Sequence, residues 1–274
     1  ILSNGYYIDL VQSTEYHYLN DPVPADSPLT AEEKKFILGG EATMWGELIT
    51  PETIDSRIWP RTAAIAERLW SPGHVNDVQD MYRRLERISL QLEEVGLLHK
   101  KNRAMMLRRL TGGRDTHSLS MLVSVIEPLE GYKRHQGRVH TQFSPFTRVA
   151  DAAVADAKVA REFRLRVDLY LESRDAKIKE ELEHVLTLWK GNHKKLKAII
   201  EKSPIIKEIE SLSADLSLVA GIGLDALGLL TTGKKAEPAW TAEKQEILKK
   251  AARPRGQVEL RILPAIEKLL AAAK

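Results

Sequence analysis

The stretch that most constrains the fold is Phe36 to Trp70, FILGGEATMWGELITPETIDSRIWPRTAAIAERLW. It opens with an apolar run of strand length, ends that run on Gly39-Gly40, and then carries Trp45 and Glu47 on a polar turn. A loop and a compact helix follow, with Pro60 at a tolerated first-turn position and Ser71-Pro72-Gly73 as the stop. A short buried strand that delivers an aromatic ring and a carboxylate just before a loop and helix is how a (β/α)8 barrel presents ligand groups at its C-terminal face. The segment Ile1 to Val11 reads as a preceding strand of the same kind, rich in aromatic and β-branched residues. Asn4-Gly5 interrupts it, which predicts a bulge or a close backbone approach rather than a hairpin. Tyr7 and Asp9, like Trp45 and Glu47, lie two apart and point to one side of a regular strand.

Downstream the pattern changes to helical. Thr30 with Glu33 has the form of a capping box. Met81, Leu85, Ile88, Leu92 and Val95 recur at helical spacing over residues 75 to 96. After a basic helix, Gly112-Gly113 marks a boundary, giving two domains, 1–112 and 113–274. The second reads as helices over 118–126, 156–171, 176–188, 193–200, 204–230, 241–251 and 257–273, with a loop over 130–148 and no convincing strand. The fold class expected is therefore α/β, the C-terminal end of a (β/α)8 barrel contributing its last two strands, followed by a mostly α-helical domain. The apolar stretch 212–230 approaches spanning length, but Asp215 and Asp225 would be costly at bilayer depth and three glycines weaken the helix. It is read as a core helix, and no membrane span is expected.

Composition removes several functions. There is no cysteine, hence no disulfide, thiolate metal site or cysteine nucleophile. The 41 basic and 38 acidic residues nearly balance, which speaks against a nucleic-acid binder. His135 and His140 lie in a loop without metal-ligand spacing, so no metal and no cofactor are expected. Glu32-Glu33, Glu93-Glu94 and Glu180-Glu181 fit solvated helix faces or caps. The chain opens inside an apolar run without an initiator methionine, which reads as the C-terminal piece of a longer protein.

Two aromatic-x-acid pairs at strand ends suit a ligand with an apolar face and adjacent hydroxyls, since a ring stacks on the former and a carboxylate accepts from the latter. A resemblance adds to this. GGEATMWGE followed by RIWPRTAAIAERLWS closely resembles the end of the catalytic barrel in glycoside hydrolase family 20 β-N-acetylhexosaminidases, and LSNGYYIDL resembles the preceding strand. The later run EPLEGYKRHQ…QFSPFTRVADAA is similar to the C-terminal extension of bacterial members. The resemblance implies a retaining exo-enzyme acting on terminal N-acetylglucosamine or N-acetylgalactosamine of an oligosaccharide. It implies that Tyr7 donates to the substrate's acetamido oxygen, that Asp9 and Glu47 bind outer hydroxyls, and that Trp45 walls the acetamido pocket. Tyr6 departs from the family, standing where tryptophan is common. The aspartate-glutamate pair that protonates the leaving group lies upstream in the family, so no catalytic acid is assigned within these residues, and Arg61, Glu67 and Arg68 are expected to form ion pairs that fix the short helix. The resemblance further implies a periplasmic or secreted setting and is compatible with a homo-oligomer. The alternative is a non-catalytic helical module that buttresses the barrel or docks a partner.

Overall fold

The computed structural model describes residues 1–274. It is mostly helical, with a two-stranded antiparallel sheet. The chain divides into two compact units, one of residues Ile1–Ala104 and Glu130–Phe146, the other of Met105–Leu129 and Thr147–Lys274.

The two segments expected to be strands are not regular strands. They meet as a pair of parallel bridges, Leu2 to Gly40 and Tyr7 to Thr43. Leu2 N donates to Gly39 O at 3.0 Å and accepts at its carbonyl from Glu41 N at 2.9 Å. Thr43 N donates to Tyr6 O at 3.0 Å, and Ile8 N donates to Thr43 O at 2.9 Å. The first segment advances five residues between the bridges and the second only three, so the first carries the bulge that Asn4-Gly5 predicts. Gly5 sits at φ +84°, and a Cβ there would lie 2.4 Å from the Asn20 side chain, so only glycine fits the turn. Beyond Tyr7 the backbone tightens into a 3-10 turn at Ile8–Leu10. The stretch Lys34 to Gly40 is also not buried: Phe36 and Leu38 are more than four-fifths exposed.

The face toward the helices is packed. Tyr6, Ile8 and Ile65 form a buried cluster against which Ala42, Met44, Ile58 and Leu69 pack. Alternation thus survives locally, with Tyr6 and Ile8 turned in and Tyr7 and Asp9 only partly covered. Five helices follow within this unit, α1 (Thr14–Leu19), α2 (Ala31–Lys34), α3 (Ile54–Ile58), α4 (Arg61–Trp70) and α5 (Val78–Glu94). The capping box of α2 forms as expected, with Glu33 N donating to Thr30 Oγ1 at 3.2 Å and Thr30 N to the Glu33 carboxylate at 2.8 Å. Asp77 caps α5, whose Met81, Tyr82 and Leu85 join Tyr18 and Ala64 in a second cluster. The predicted stripe on α5 is buried only at its N-terminal end, because Val95 is exposed.

Helix α6 (His99–Leu110) crosses the limit of the first unit at Ala104, and α7 (His117–Val123) leads into β1 (Ile126–Pro128). The chain then returns to the first unit for a segment holding the one-turn helix α8 (Lys133–Gln136). Five helices complete the second unit, α9 (Val149–Ala152), α10 (Lys158–Ser173), α11 (Ala176–Ile200), α12 (Glu210–Thr232) and α13 (Pro238–Ala251), before β2 (Val258–Leu260) and α14 (Leu263–Ala272).

The pairing of β1 with β2, Ile126 opposite Leu260, corrects the expectation of no strand in this region. Three-residue strands carry too little alternation to be read from sequence. The stretch 176–200 is one continuous helix rather than two, since Gly191 has open space beside it and its backbone stays helical. The apolar 212–230 stretch lies in α12, which is long and apolar enough by composition to cross a membrane. Its Leu212, Leu216, Val219, Ala220, Ala226 and Leu227 are fully buried in the core of this unit. Gly223 lets α12 approach its neighbours, since a Cβ would stand 2.8 Å from Ile266 and 3.0 Å from Leu186. Phe163 and Trp189 meet edge to face at 4.8 Å between centroids, a favoured aromatic geometry.

Candidate active site

The α4 helix supports the site through arginines that work on the main chain. The Arg61 guanidinium, almost fully buried, donates to Gln12 O at 2.6 Å, Ile8 O at 2.8 Å and Arg57 O at 2.5 Å, and approaches His17 Nε2 at 3.5 Å. His17 in turn bonds Gly5 O through Nδ1 at 2.7 Å. Arg68 donates to the carbonyls of Val75 at 2.9 Å, Ser71 at 3.2 Å and Pro72 at 2.9 Å. The expectation of ion pairs at Arg61, Glu67 and Arg68 is therefore corrected for Arg68, which caps loop carbonyls. Arg61 likewise gives its Nη protons to carbonyls, because the irregular backbone around Ile8–Leu10 and the loop after α4 leave acceptors that no ladder satisfies. Glu67 does pair, with Arg84 of α5, and it accepts the Tyr18 hydroxyl at 2.8 Å. These partners hold its carboxyl below the ordinary range against the opposing effect of burial, which is the largest single influence on it.

On the side away from α4 stand the residues singled out from sequence. Asp9 and Trp45 come together: Trp45 N donates to Asp9 Oδ2 at 3.2 Å. Asp9 Oδ1 is shielded from solvent and takes no hydrogen bond. Tyr7 is joined to Thr43 by the second bridge. The Trp45 ring is 72% exposed, so its face is free to stack. Glu47 follows Gly46, which takes φ +77°, and its carboxylate lies 3.3 Å from His135 Nε2. Tyr7, Asp9 and Trp45 thus belong to one bridged pair of segments, whereas Glu47 is tied to the distant segment around α8. Tyr6 has a role of its own, since its buried hydroxyl donates to Asn20 O at 2.7 Å and burial raises its pKa. A phenol can make that bond across to the α1 end, where its hydroxyl points.

Two residues were not singled out by the sequence. Thr43 pairs with Tyr7 and keeps a buried Oγ1 without a partner; its place between the glycine pair and Trp45 in GGEATMWGE was the available signal. His135 is separated from Glu47 by most of a domain length, and nothing in local spacing links them.

Comparison with known proteins finds similarity to glycoside hydrolases. Residues 2–73 match the model of the glycosyl hydrolase family 20 catalytic domain. The beta-hexosaminidase subunit beta of Sus scrofa is 41% identical over 86 residues, 31% of this chain and 16% of that protein. The human protein of the same description is 38% identical over 100 residues, 35% of this chain and 18% of that one. A solved structure, the Flavobacterium johnsoniae chitobiase, superposes with a TM-score of 0.88 at 41% identity, covering 97% of this chain and 40% of that one. The chain therefore spans about a sixth of the length of the curated relatives and two-fifths of that chitobiase.

Proposed function

We propose that this chain is part of a retaining exo-β-N-acetylhexosaminidase that hydrolyses terminal non-reducing N-acetylglucosamine or N-acetylgalactosamine. The observation that carries the reading is the family 20 match over residues 2–73, the segment that holds Tyr7, Asp9, Trp45 and Glu47. The two parallel-bridged segments are assigned as the last two strands of a (β/α)8 barrel. Parallel pairing backed by a helix on one face, with polar groups at the exit, is the local geometry of such a barrel.

In this reading the exposed Trp45 ring forms one wall around the acetamido group. Asp9, with one oxygen held by Trp45 N, is assigned to an outer hydroxyl of the sugar, and Glu47 to another. Tyr7 donates its hydroxyl to the acetamido carbonyl oxygen. Family 20 enzymes depart from the two-carboxylate scheme: that oxygen attacks the anomeric carbon as the glycosidic bond breaks, giving an oxazolinium that water opens with retention. Tyr7 orients the attacking oxygen, and orientation is a large part of the gain in such intramolecular steps. The general-acid glutamate and its partner aspartate are assigned to an earlier barrel strand outside these residues.

The helical part, taken as 113–274, is assigned as a buttress of the same enzyme. The near-complete coverage of this chain by the chitobiase structure supports that over an independent docking module. A periplasmic or secreted setting goes with the reading, through the likeness to bacterial exported glycosidases. The test is hydrolysis of an aryl β-N-acetylglucosaminide, measured for the complete enzyme and for residues 1–274 alone. Activity is expected only in the former, and clear turnover by residues 1–274 would show that the acid has been misplaced.

A further inference from the structure

Resting on that reading of Glu47, we propose that His135 is a positioning residue for the sugar site, holding the Glu47 carboxylate so that its second oxygen is presented to the substrate's outer hydroxyls. The segment Glu130–Phe146, which follows β1 of the helical part, clusters with the first unit. Two contacts attach it there. Gly131 N donates to Leu10 O at 2.8 Å, immediately after Asp9, and His135 Nε2 reaches Glu47 Oε2 at 3.3 Å. The segment therefore touches the neighbourhood of both carboxylates assigned to sugar recognition.

The segment is internally braced. His135 lies 6.0 Å from the Tyr132 ring and 6.4 Å from that of His140. His140 stacks on Phe146 at 5.7 Å and 14°, and the buried Arg134 guanidinium sits 5.9 Å over the same ring. A histidine held this way offers an N–H in a fixed direction. Glu47 needs one, because it stands exposed on a loop beyond a glycine, where a free carboxylate samples several rotamers and loses that freedom on binding. The arrangement parallels that at Asp9, where one carboxylate oxygen takes the Trp45 N–H: His135 Nε2 stands 3.3 Å from one Glu47 oxygen, within ion-pair distance.

The test uses the complete enzyme with aryl β-N-acetylglucosaminide and aryl β-N-acetylgalactosaminide, comparing His135→Ala, His135→Gln, Glu47→Gln and the His135→Ala/Glu47→Gln double variant. His135→Ala is expected to raise KM about 3- to 10-fold with kcat changed less than about twofold, as for loss of uniform binding. The two epimeric substrates should be affected unequally, since they differ in the direction of an outer hydroxyl. His135→Gln, which keeps an N–H, should recover part of the loss. In the double variant, His135→Ala should add little to Glu47→Gln, because the imidazole acts through the carboxylate. Multiplying effects, or a fall in kcat and melting temperature at constant KM, would overturn the proposal. If Glu47→Gln raises KM while His135→Ala does not, His135 is an ordinary surface partner and only this proposal fails. If Glu47→Gln itself leaves KM unchanged, the assignment of the sugar site fails first.

Discussion

Arg61 is the side chain on which the shape of the Asp9 turn most depends, and Arg61→Met is the sharpest perturbation of it. Methionine keeps the aliphatic length and helix propensity of arginine but removes the donors to Gln12 O, Ile8 O and Arg57 O. A hydrogen bond from a charged donor contributes about 1.5–3 kcal/mol, and a buried acceptor left bare costs about 1–3 kcal/mol. Three such bonds would give more than twice the first figure. Part is returned because the variant no longer buries a guanidinium. The net loss is expected to be about 3 kcal/mol, a large share of the roughly 5–15 kcal/mol available to a typical domain. Arg61→Lys keeps the charge but not the planar fork and should lose about half as much. Urea unfolding followed by tryptophan fluorescence measures the total. Amide exchange at Ile8, whose N–H bonds Thr43 O, reports whether the bridge beside Tyr7 loosens with it. A change below about 0.5 kcal/mol, within the range of ordinary surface substitutions, with Ile8 protection intact, would show that the guanidinium does not hold this turn.

Two further outcomes follow from buried groups elsewhere. In α12, Gly223→Val should destabilise the helical unit by about 2 kcal/mol through overpacking against Leu186 and Ile266. Gly228→Ala, at a site with nothing within 4 Å of the new methyl, should stabilise it by about 0.5–1 kcal/mol through helix propensity; thermal melts of both variants check the contrast. His99 is buried, bonds Ser89 Oγ at 2.8 Å, and has its pKa lowered from 6.5, chiefly by burial. The unfolded state then binds the proton more readily, so stability is lost as pH falls from about 6.5 toward the lower folded value. Urea midpoints from pH 8 to 5 should show that decline in the wild type and a flatter profile in His99→Gln.

What could be read from the sequence was set by how local each cause is. The Thr30–Glu33 capping box, the Asn4-Gly5 bulge and the helices α4, α5, α10 and α13 depend on neighbours within a turn or two, and they stand within a few residues of expectation. The strand character of Lys34–Gly40 was inferred from apolar content, which measures what a segment could bury rather than what covers it; Phe36 and Leu38 are exposed. The β1–β2 pair joins residues 130 or more positions apart through three residues on each side, and no periodicity develops over so short a run. Arginine partners were misjudged for a related reason. Charge pairing is easy to propose from composition, but an irregular loop creates carbonyl acceptors that exist only once the backbone is placed.

The same distinction governs the site. Tyr7, Asp9, Trp45 and Glu47 are site candidates from sequence because an aromatic and an acid two residues apart at a segment's end form a local pattern with a chemical reason, and the family resemblance implies their roles. The orientation of the carboxylates was not legible, because a carboxylate on a short irregular turn takes its direction from whatever donor reaches it. For Asp9 that donor is the Trp45 amide, supplied by the adjacent bridged segment. For Glu47 it is His135, supplied by a stretch that sequence order assigns to the helical part. A glycine turn beside a strand end gives the side chain reach at the cost of direction, so direction has to be restored by a second element. The segment Glu130–Phe146 does this while remaining attached to the Asp9 turn through Gly131. On the proposal made for His135, the first unit thus takes the donor for a carboxylate assigned to the sugar from a segment that sequence order places after β1.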